Sequence, residues 1–587
     1  MLTIRGRLRL IALGMIIVSG LMIARLLSFQ YRLDPEVQEQ LYSVAGASEG
    51  RQVEYRPNRG RIYDRDGRVL AVNTMEYRVG ISPGAIGAGR ETKREVAKDL
   101  ARILELDEYE VFLQLLPNEL GQYPRYVPLK SPVSLEAGEE LEELDVSGLV
   151  IEPIYRRDYP QEQLTNQLIG FVNLDSVGYW GVEQHYQAEL AGQSKIATES
   201  GLPADVLEDV NIRDGQDLVL TIDRDIQWFA QQALQDAVER EQALGGTIIV
   251  MNPRTGEILA MVSLPDFTLE DYNNLPEQDK PTYNPAIHDV YEPGSIFKIL
   301  TAAVALDIQK PGLDMFWSYN NVGCEEMAGV LICDSERVPK GPITFPQCLV
   351  RSLNTCTAHW NLLIGRDNWY TYLENFGFGR PTGVDMAGEE SGIVNWPGTG
   401  TFSEANFLQT SFGQGISVTP LQILVAANAI ANDGLMMQPF IVQKFYDGDI
   451  VYEQRPTAIG RPISAATAQQ VLEIMEQAVS APEGFGDKAE LDGFSVAGKT
   501  GTAQKLAPDF SYSDDETWAS FIGFVPADNP HLSILIMLDD PESYWGSQAA
   551  APVFAELASR LVVLLEIPPD GVRTDLMNNG GNPFGRR

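Results

Sequence analysis

The sequence predicts an α+β domain, in which an antiparallel sheet packs against a group of helices. Strand-like segments lie at both ends of this region. Gly246–Val262 is typical of a strand, a tight turn and a second strand, and Ser520–Val525 and Leu532–Leu538 are also strand-like. Windows with helical periodicity lie between them, the longest over Ile343–Ile364. Strands at both ends of a domain with helices in the middle favour an α+β architecture.

The chain has 587 residues, which is more than a single hydrophobic core usually supports, so we expect several domains. Residues 1–30 are expected to form a cytoplasmic tip and membrane anchor, 31–220 a structural or docking module, 221–568 the α+β domain, and 569–587 a disordered tail. The remaining expected strands are Asp217–Asp223 and Gly493–Val496, and the remaining expected helices are Glu95–Leu106, Ile226–Glu241, Phe297–Leu306 and Thr419–Ala431.

The first thirty residues have the pattern of a membrane anchor. Arginines precede the uncharged run Leu10–Ala24, and apolar residues continue after Arg25. A bilayer-spanning helix needs roughly 20 apolar residues, so Leu8–Phe29 is long enough if Arg25 reaches a headgroup. The preceding arginines place the N-terminus in the cytoplasm and the rest of the chain outside. A cleaved signal peptide is the alternative, but the bulky residues of Arg25–Tyr31 are atypical of a cleavage site.

The net charge of −37 argues against a nucleic-acid partner, because phosphate binding needs clustered Lys and Arg. The four histidines are scattered and no His/Cys group has zinc spacing, so we expect neither a metal nor a cofactor.

The four cysteines lie in the part of the chain expected outside the cytoplasm, where disulfides are permitted. Cys324 and Cys333 flank a hairpin-like segment, and either a disulfide or two free thiols fits that pattern. Cys348 and Cys356 lie in an apolar, helix-like stretch and are expected to be buried thiols.

A candidate nucleophile and its base lie in the segment Tyr291–Lys298. Ser295 and Lys298 are three residues apart on an expected helix, so their side chains share a face. A serine hydroxyl needs an adjacent base, and a lysine can be that base only if burial or a second cation lowers its pKa. The Ser295 backbone N–H is also placed to help hold an oxyanion. Taken alone, the spacing is weak evidence, because a helix cap followed by a solvated lysine is the more common reason for it.

Two further patterns turn this pair into a candidate site for acyl transfer. Ser352-Leu353-Asn354 falls 57 residues after Ser295, in an expected helical region. Lys499-Thr500-Gly501 follows a strand-like segment and precedes Thr502. The set S-x-x-K, S-x-N and K-T-G, in this order, is the combination of penicillin-binding proteins and their β-lactamase relatives.

The expected catalytic roles follow from chemistry. Ser295 is the nucleophile, Lys298 its base, and Ser352 a proton relay to the leaving amine. The Asn354 side chain is expected to bond both the substrate amide and Lys298.

The K-T-G strand is expected to bind the substrate along the edge of the sheet. Lys499 offers a cation and Thr500 a hydroxyl for a terminal carboxylate. Gly501 has no side chain, so a substrate strand can lie flat there. The Thr502 N–H is the second expected oxyanion donor.

With these motifs the chain resembles the class B, monofunctional penicillin-binding proteins, from the anchor to about residue 568. Arg59–Ala71 is similar to that family's first pedestal motif, with Asp66 where Asn is usual. Gly178–Glu183 resembles a later pedestal motif, and Ser411–Gln422 a transpeptidase-domain signature. The resemblance implies a penicillin-binding or serine β-lactamase-like fold, preceded by an elongated pedestal of the dimerisation type and one transmembrane helix.

Within the family the chain is most similar to the septal, cell-division type. The similarity lies in Lys499–Gln504, Ala519–Asp528 and Ala550–Phe554. The elongation type remains the alternative, although its longer tryptophan-containing stretch before the Gly-Gln-Gly motif is not seen here.

The resemblance implies a serine-type D-Ala-D-Ala transpeptidase of peptidoglycan. Ser295 would attack a D-Ala-D-Ala stem peptide, release D-Ala, and pass the acyl group to an amine of a neighbouring stem. β-Lactams would acylate the same serine. The implied partners are lipid II-derived glycan and its stem peptides, a glycosyltransferase of the shape, elongation, division and sporulation (SEDS) class, and divisome membrane proteins.

Two other classes of protein share parts of this pattern. A β-lactamase or D,D-carboxypeptidase would transfer the acyl group to water, and a β-lactamase needs a positioned deacylating base. A β-lactam sensor or scaffold would keep the fold without turnover. The anchor, the long module before residue 220 and the intact motif set favour the synthetic transpeptidase.

Overall fold

The structure is a computed structural model. It describes residues 14–23, 25, 51–55, 57–87, 90–173, 176–199, 213–266, 283–506 and 512–578. The chain divides into two compact units, the first formed by Met1–Pro57 with Gly192–Asp214, and the second by Asn58–Ala191 with Gly215–Arg587.

The strands are β1 Arg51–Tyr55, β2 Ile62–Tyr63, β3 Val69–Ile81, β4 Val127–Val133, β5 Leu149–Asp158, β6 Phe171–Val172, β7 Gly178–Tyr179, β8 Lys195–Glu199, β9 Asp217–Leu220, β10 Gly245–Met251, β11 Ile258–Leu264, β12 Ser318–Asn321, β13 Cys324–Met327, β14 Val330–Cys333, β15 Gly341–Thr344, β16 Ile393–Val394, β17 Ile416–Ser417, β18 Met436–Met437, β19 Val442–Asp447, β20 Asp449–Glu453, β21 Ala458–Gly460, β22 Ala497–Leu506, β23 Tyr512–Val525 and β24 Leu532–Asp539.

The helices are α1 Arg90–Leu104, α2 Glu108–Gln114, α3 Leu135–Glu143, α4 Glu162–Ile169, α5 Gly181–His185, α6 Gln187–Ala191, α7 Arg224–Glu241, α8 Pro285–His288, α9 Lys298–Asp307, α10 Phe345–Val350, α11 Asn354–Ile364, α12 Arg366–Asn375, α13 Glu404–Gln409, α14 Pro420–Ala431, α15 Ala465–Ser480, α16 Gly546–Ala549, α17 Ala551–Leu564 and α18 Asp570–Asn578.

The α+β domain contains a five-stranded antiparallel sheet, with strand order β11-β10-β24-β23-β22. The predicted hairpin over Gly246–Val262 is confirmed as β10 and β11. The strand predicted at Gly493–Val496 was placed too early in the sequence, because β22 begins at Ala497. The K-T-G residues therefore lie inside a strand, and that strand is at the edge of the sheet, as expected.

Both faces of this sheet are buried, which explains the almost continuous apolar character of β10 and β24. Side chains alternate between the two faces of a strand. Ile248 belongs to the core formed with α7 and α17, and its neighbour Ile249 to the larger core formed with the helices between β11 and β22. The predicted α+β architecture is confirmed.

A second sheet joins distant parts of the chain, with strand order β20-β19-β9-β2-β3-β4 and β5 paired to β3. Strand β2 runs parallel to β9, with Ile62 opposite Leu218, and β9 pairs with β19. The boundary expected at residue 220 falls at the last residue of β9, inside this shared sheet.

A buried ion cluster holds the segments around this sheet together. The Glu183 carboxylate is fully buried and accepts hydrogen bonds from Arg59 Nε at 2.7 Å and from Arg157 Nε at 2.8 Å. Arg59 also donates to the Glu183 carbonyl at 3.0 Å, and Arg157 to Asn73 Oδ1 at 3.0 Å. The Glu183 carboxylate thus binds Arg59, which lies 124 positions earlier in the sequence.

Both cysteine pairs form disulfides, Cys324–Cys333 and Cys348–Cys356. The interpretation of the second pair as buried thiols was wrong, although both residues are buried. That interpretation assumed one continuous helix over Ile343–Ile364. The structure breaks this window into α10 and α11, and the turn between them brings the two sulfurs together.

The expected disordered tail from residue 569 is corrected for its first part, because residues 570–578 form helix α18. Arg573 anchors this helix. Its guanidinium is fully buried and pairs with the carboxylates of Asp528 and Asp570. Residues 579–587 lie outside the described residues.

Within the described part of the chain, no helix is both long and apolar enough to cross a bilayer. Half of the predicted anchor, Leu8–Phe29, falls outside the described residues, and within the described half residues 14–23 are helical.

Replacing Glu183 by Gln should lower the free energy of unfolding by about 3–5 kcal/mol, because two buried guanidinium groups would lose their counter-charge. Urea denaturation followed by tryptophan fluorescence measures this change. The matched control is Glu140→Gln, which breaks the exposed pair with Arg102 and should cost less than about 1 kcal/mol. Equal losses in the two variants would contradict the assigned role of the cluster.

Candidate active site

Ser295 lies on a tight turn pressed against the edge strand. The turn is a 3-10 helix over Gly294–Phe297, and the α-helix α9 starts only at Lys298, slightly later than expected. Gly294 has φ +57°, and a Cβ on it would lie 2.9 Å from the Thr502 carbonyl oxygen. Its N–H donates to the Gly413 carbonyl at 3.0 Å. A glycine is therefore required where the serine turn meets β22.

Two lysine amines converge on the hydroxyl of Ser352. Lys298, fully buried, donates from Nζ to the Ser352 carbonyl at 2.6 Å and to its Oγ at 3.2 Å. Lys499, 2% exposed, donates to the same Oγ at 2.9 Å and to the Thr500 carbonyl at 3.0 Å. A hydroxyl oxygen has two acceptor lone pairs, so these amines use both of them. The hydroxyl hydrogen of Ser352 is left to point away from the lysines.

Burial sets the electrostatics of both amines. It lowers the pKa of Lys298 well below its usual value; the nearby Lys499 charge lowers it further, and Asp334 opposes the shift. Burial likewise lowers the pKa of Lys499 to about 7. The condition set by the sequence for a lysine base, burial and a second cation, is met at this site.

Ser352 occupies the break between α10 and α11. Its φ is +54°, a left-handed conformation that is uncommon for a residue other than glycine. Strained backbone of this kind occurs at functional sites when the surrounding structure holds it in place. Here the support comes from the start of α11, where Asn354 Nδ2 donates to the Cys333 carbonyl at 2.8 Å. Lys298 bonds Ser352, and not the Asn354 side chain as expected.

The K-T-G strand alternates its side chains between the faces of the sheet. Gly501 faces the serine turn, and a Cβ there would lie 2.3 Å from Ser520 Oγ and 2.8 Å from Ile296 Cγ2. The missing side chain thus allows the serine turn to pack against β22, a different reason from the flat substrate edge expected. The Thr502 hydroxyl accepts a hydrogen bond from the Gly546 N–H at 3.0 Å.

Two buried carboxylates near the site were not identified from the sequence. Glu292 accepts hydrogen bonds from the Gly415 N–H at 2.8 Å and from the Tyr512 hydroxyl at 3.0 Å, so it links the serine segment to two neighbouring segments. Its position in the Tyr291–Lys298 segment was the available signal. Asp334 lies 18 residues before Ser352 in the sequence, directly after strand β14. Neither β13 nor β14 contains a recognisable motif, so no sequence pattern identified Asp334.

The described residues contain no group of His, Cys, Asp and Glu side chains arranged to hold a metal ion. The chemistry available at the site is that of a serine, two lysines, a relay hydroxyl and backbone N–H groups.

Comparison with known families gives two matches. The penicillin-binding protein transpeptidase domain matches residues 246–559, and the penicillin-binding protein dimerisation domain matches residues 54–220. The first match includes every residue of the three motifs.

Individual relatives align along most of their length. Stage V sporulation protein D of Bacillus subtilis is 32% identical over 582 residues, which is 97% of this chain and 87% of the relative. Peptidoglycan D,D-transpeptidase FtsI of Escherichia coli is 29% identical over 541 residues, 90% of this chain and 88% of the relative.

A solved structure has a similar fold. The crystal structure of penicillin-binding protein 3 from Mycobacterium tuberculosis in complex with aztreonam has a TM-score of 0.67 and 28% sequence identity, and the match covers 88% of this chain and 98% of that chain. Because the transpeptidase match spans more than half of the chain and the sporulation protein is similar from end to end, the chain belongs to the class B penicillin-binding proteins.

Proposed function

We propose that the chain is a peptidoglycan D,D-transpeptidase that cross-links stem peptides through a Ser295 acyl-enzyme during septal wall synthesis, and that it is a target of β-lactams. The observation that carries the proposal is the convergence of two buried lysines on the Ser352 hydroxyl beside the serine turn. The name of the Escherichia coli relative supports the reaction, and the aztreonam and ampicillin complexes of the Mycobacterium tuberculosis structure support the inhibitor class.

In this proposal Lys298 acts as the general base in its neutral form. The Ser295 oxygen attacks the penultimate D-Ala carbonyl, a C–O bond forms, and the serine proton passes to Lys298 Nζ. The N–H groups of Ser295 and Thr502 hold the resulting oxyanion. The lowered pKa of Lys298 supports this role, because an amine with an ordinary pKa would be protonated at neutral pH.

Ser352 then carries the proton to the leaving group. As the C–N bond to the terminal D-Ala breaks, the Ser352 hydroxyl gives its proton to the departing amine and takes one from Lys298. Both lysines donate to the Ser352 oxygen, so the hydroxyl hydrogen is not used in those bonds. This arrangement supports proton transfer from Ser352 to the leaving amine. In the second half the acceptor amine attacks the ester carbonyl, Lys298 removes its proton, and Ser295 leaves with a proton returned to its oxygen.

Lys499 and Thr500 are proposed to bind the terminal carboxylate of the donor peptide, while Asn354 orients its amide. A bound carboxylate favours the protonated form of Lys499. That positive charge lowers the pKa of Lys298 still further. Substrate binding therefore keeps the proton on the lysine that recognises the carboxylate and leaves the other lysine free as the base.

We also propose that residues 1–30 hold the chain in the cell membrane as a single-pass anchor, with the N-terminus cytoplasmic and the catalytic region outside. The uncharged run and its preceding arginines support this topology. The module before residue 220 and the anchor would contact a SEDS-class glycosyltransferase and divisome proteins, since cross-linking needs a glycan made by another enzyme. The test is protease accessibility of the catalytic region in intact spheroplasts.

Replacing Ser295 by Ala should abolish covalent labelling by a fluorescent penicillin, because the acylated oxygen is removed. In-gel fluorescence measures the labelling, and mass spectrometry of the labelled wild-type peptide identifies the modified residue. Ser559→Ala, on the exposed face of α17, serves as the control and should label normally. Labelling that persists in Ser295→Ala would show that another residue is the nucleophile.

Replacing Lys298 by Ala should lower the second-order rate constant of acylation about 10²–10⁴-fold, the usual contribution of a positioned general base. Stopped-flow or gel-based kinetics with a chromogenic cephalosporin give this constant. The exposed Lys310, changed to Ala, provides a lysine control. Acylation of Lys298→Ala at the wild-type rate would refute the base role.

The rate of acylation by carboxylate-bearing β-lactams should fall as the pH rises above about 7, because Lys499 then loses the charge that attracts the carboxylate. A profile of the second-order rate constant between pH 5 and 9 tests this point. In Lys499→Met the overall rate should be lower and the alkaline fall absent. An alkaline fall that survives in that variant would assign the titration to another group.

A further inference from the structure

Asp334 is a buried carboxylate that the reaction described above does not use. It follows Cys333 at the end of β14 and is 3% exposed. Its Oδ1 accepts from the Thr355 N–H at 3.0 Å, and its Oδ2 from Asn321 Nδ2 at 2.6 Å. The Thr355 hydroxyl donates to both oxygens, at 3.1 and 3.0 Å. These hydrogen-bond partners are all neutral groups.

These contacts tie Asp334 to the turn that carries the relay serine. Thr355 is the second residue of α11 and lies three positions after Ser352. A carboxylate that accepts its N–H caps the N-terminus of that helix, where the helix dipole favours negative charge. The neighbouring Cys333 carbonyl holds Asn354. The β13–β14 hairpin thus fixes the start of α11 at two consecutive residues.

The charge of Asp334 acts on Lys298, whose amine shares the Ser352 hydroxyl with Lys499. Burial and the charge of Lys499 lower the pKa of Lys298 on α9, whereas the charge of Asp334 raises it. On the other side of Asp334 lies Tyr319 of β12, whose pKa is raised chiefly by burial and to a smaller extent by the Asp334 charge. The Tyr319 hydroxyl donates to Glu325 at 2.6 Å. Glu325 in turn contacts His359 of α11 at 3.0 Å. Glu325 is therefore engaged by Tyr319 and His359, whereas the hydrogen-bond partners of Asp334 are neutral groups.

We propose that Asp334 is a positioning residue for acylation, which holds the Ser352 turn through the start of α11 and supplies the single negative charge that retains one proton on the Lys298–Lys499 pair. Two buried amines cannot both stay charged at low cost, and without a counter-charge both would tend to lose their protons. With one carboxylate present, the cluster is neutral when it holds one proton. That is the state in which one lysine can bind a carboxylate while the other is a base.

The inference rests on the proposed roles of Lys298 and Lys499, and the variant Asp334→Asn tests it. Loss of the negative charge should make both amines release protons more easily. The whole pH profile of acylation, with both its acid and alkaline limbs, should move about 0.5–1 pH unit toward lower pH. The second-order rate constant of acylation by a carboxylate-bearing cephalosporin, measured between pH 5 and 9 on the full chain, reports both limbs.

Thr355→Val separates charge from structure. This variant removes the hydroxyl that donates to both oxygens of Asp334 but keeps the carboxylate and the Thr355 N–H bond. It should lower the melting temperature and the height of the profile, with both limbs at the wild-type pH. A shift of the limbs in Thr355→Val equal to that in Asp334→Asn would contradict the charge role.

The exchange of the two partners, Asn321→Asp with Asp334→Asn, guards against misfolding of the single variant. It keeps an amide–carboxylate hydrogen bond and moves the charge onto β12, so its limbs should also lie below those of the wild type. Limbs at the wild-type pH in a folded Asp334→Asn, or in the exchanged pair if the single variant does not fold, would overturn the inference. Failure of the wild type to acylate at Ser295 would instead refute the proposed function.

Discussion

The site depends on the burial of two lysine amines against one hydroxyl. Each ammonium group is costly to bury, and a second one nearby raises the cost. The protein relieves this cost by lowering both pKa values, and in the proposed reaction the same shift lets Lys298 act as the base. Ser352 is where the two amines meet, so one oxygen atom of the α10–α11 turn contacts both α9 and β22.

Bringing three separate segments to one point requires backbones that approach closely. Gly294 and Gly413 meet backbone to backbone, since a Cβ on Gly413 would lie 2.2 Å from the Gly294 carbonyl oxygen. Gly501 gives the serine turn room against β22, and Gly546 donates to Thr502. At each of these contacts a Cβ would collide with neighbouring atoms, so glycine allows the segments to approach closely.

The order and type of the motifs were enough to predict that residues of all three motifs belong to one site and that the third motif lies on an edge strand, because the residues of each motif lie at fixed short spacings. Two kinds of feature were not predictable in this way. The break in the helical window at Ser352 depends on a left-handed residue with no glycine or proline to signal it, and the Cys348–Cys356 bond depends on that break. The position of Asp334 depends on a hairpin folding back on α11, a tertiary contact without a sequence period. The C-terminal helix α18 was missed because the residues that tie it to the domain, Asp570 and the buried Arg573, lie in a polar stretch.

The parallel pairing of β2 with β9 has a consequence for how the molecule can be divided. The dimerisation-domain match ends at residue 220 and the transpeptidase match begins at residue 246, which suggests two separable modules. In the structure, β9 lies between β2 and β19, so a cut on either side of it removes a partner from a strand. A catalytic fragment that starts after residue 220 would leave β19 with an open row of N–H and C=O groups. Such an edge recruits strands from other molecules, so self-association of the shortened enzyme would reflect a missing neighbour and not its natural oligomeric state.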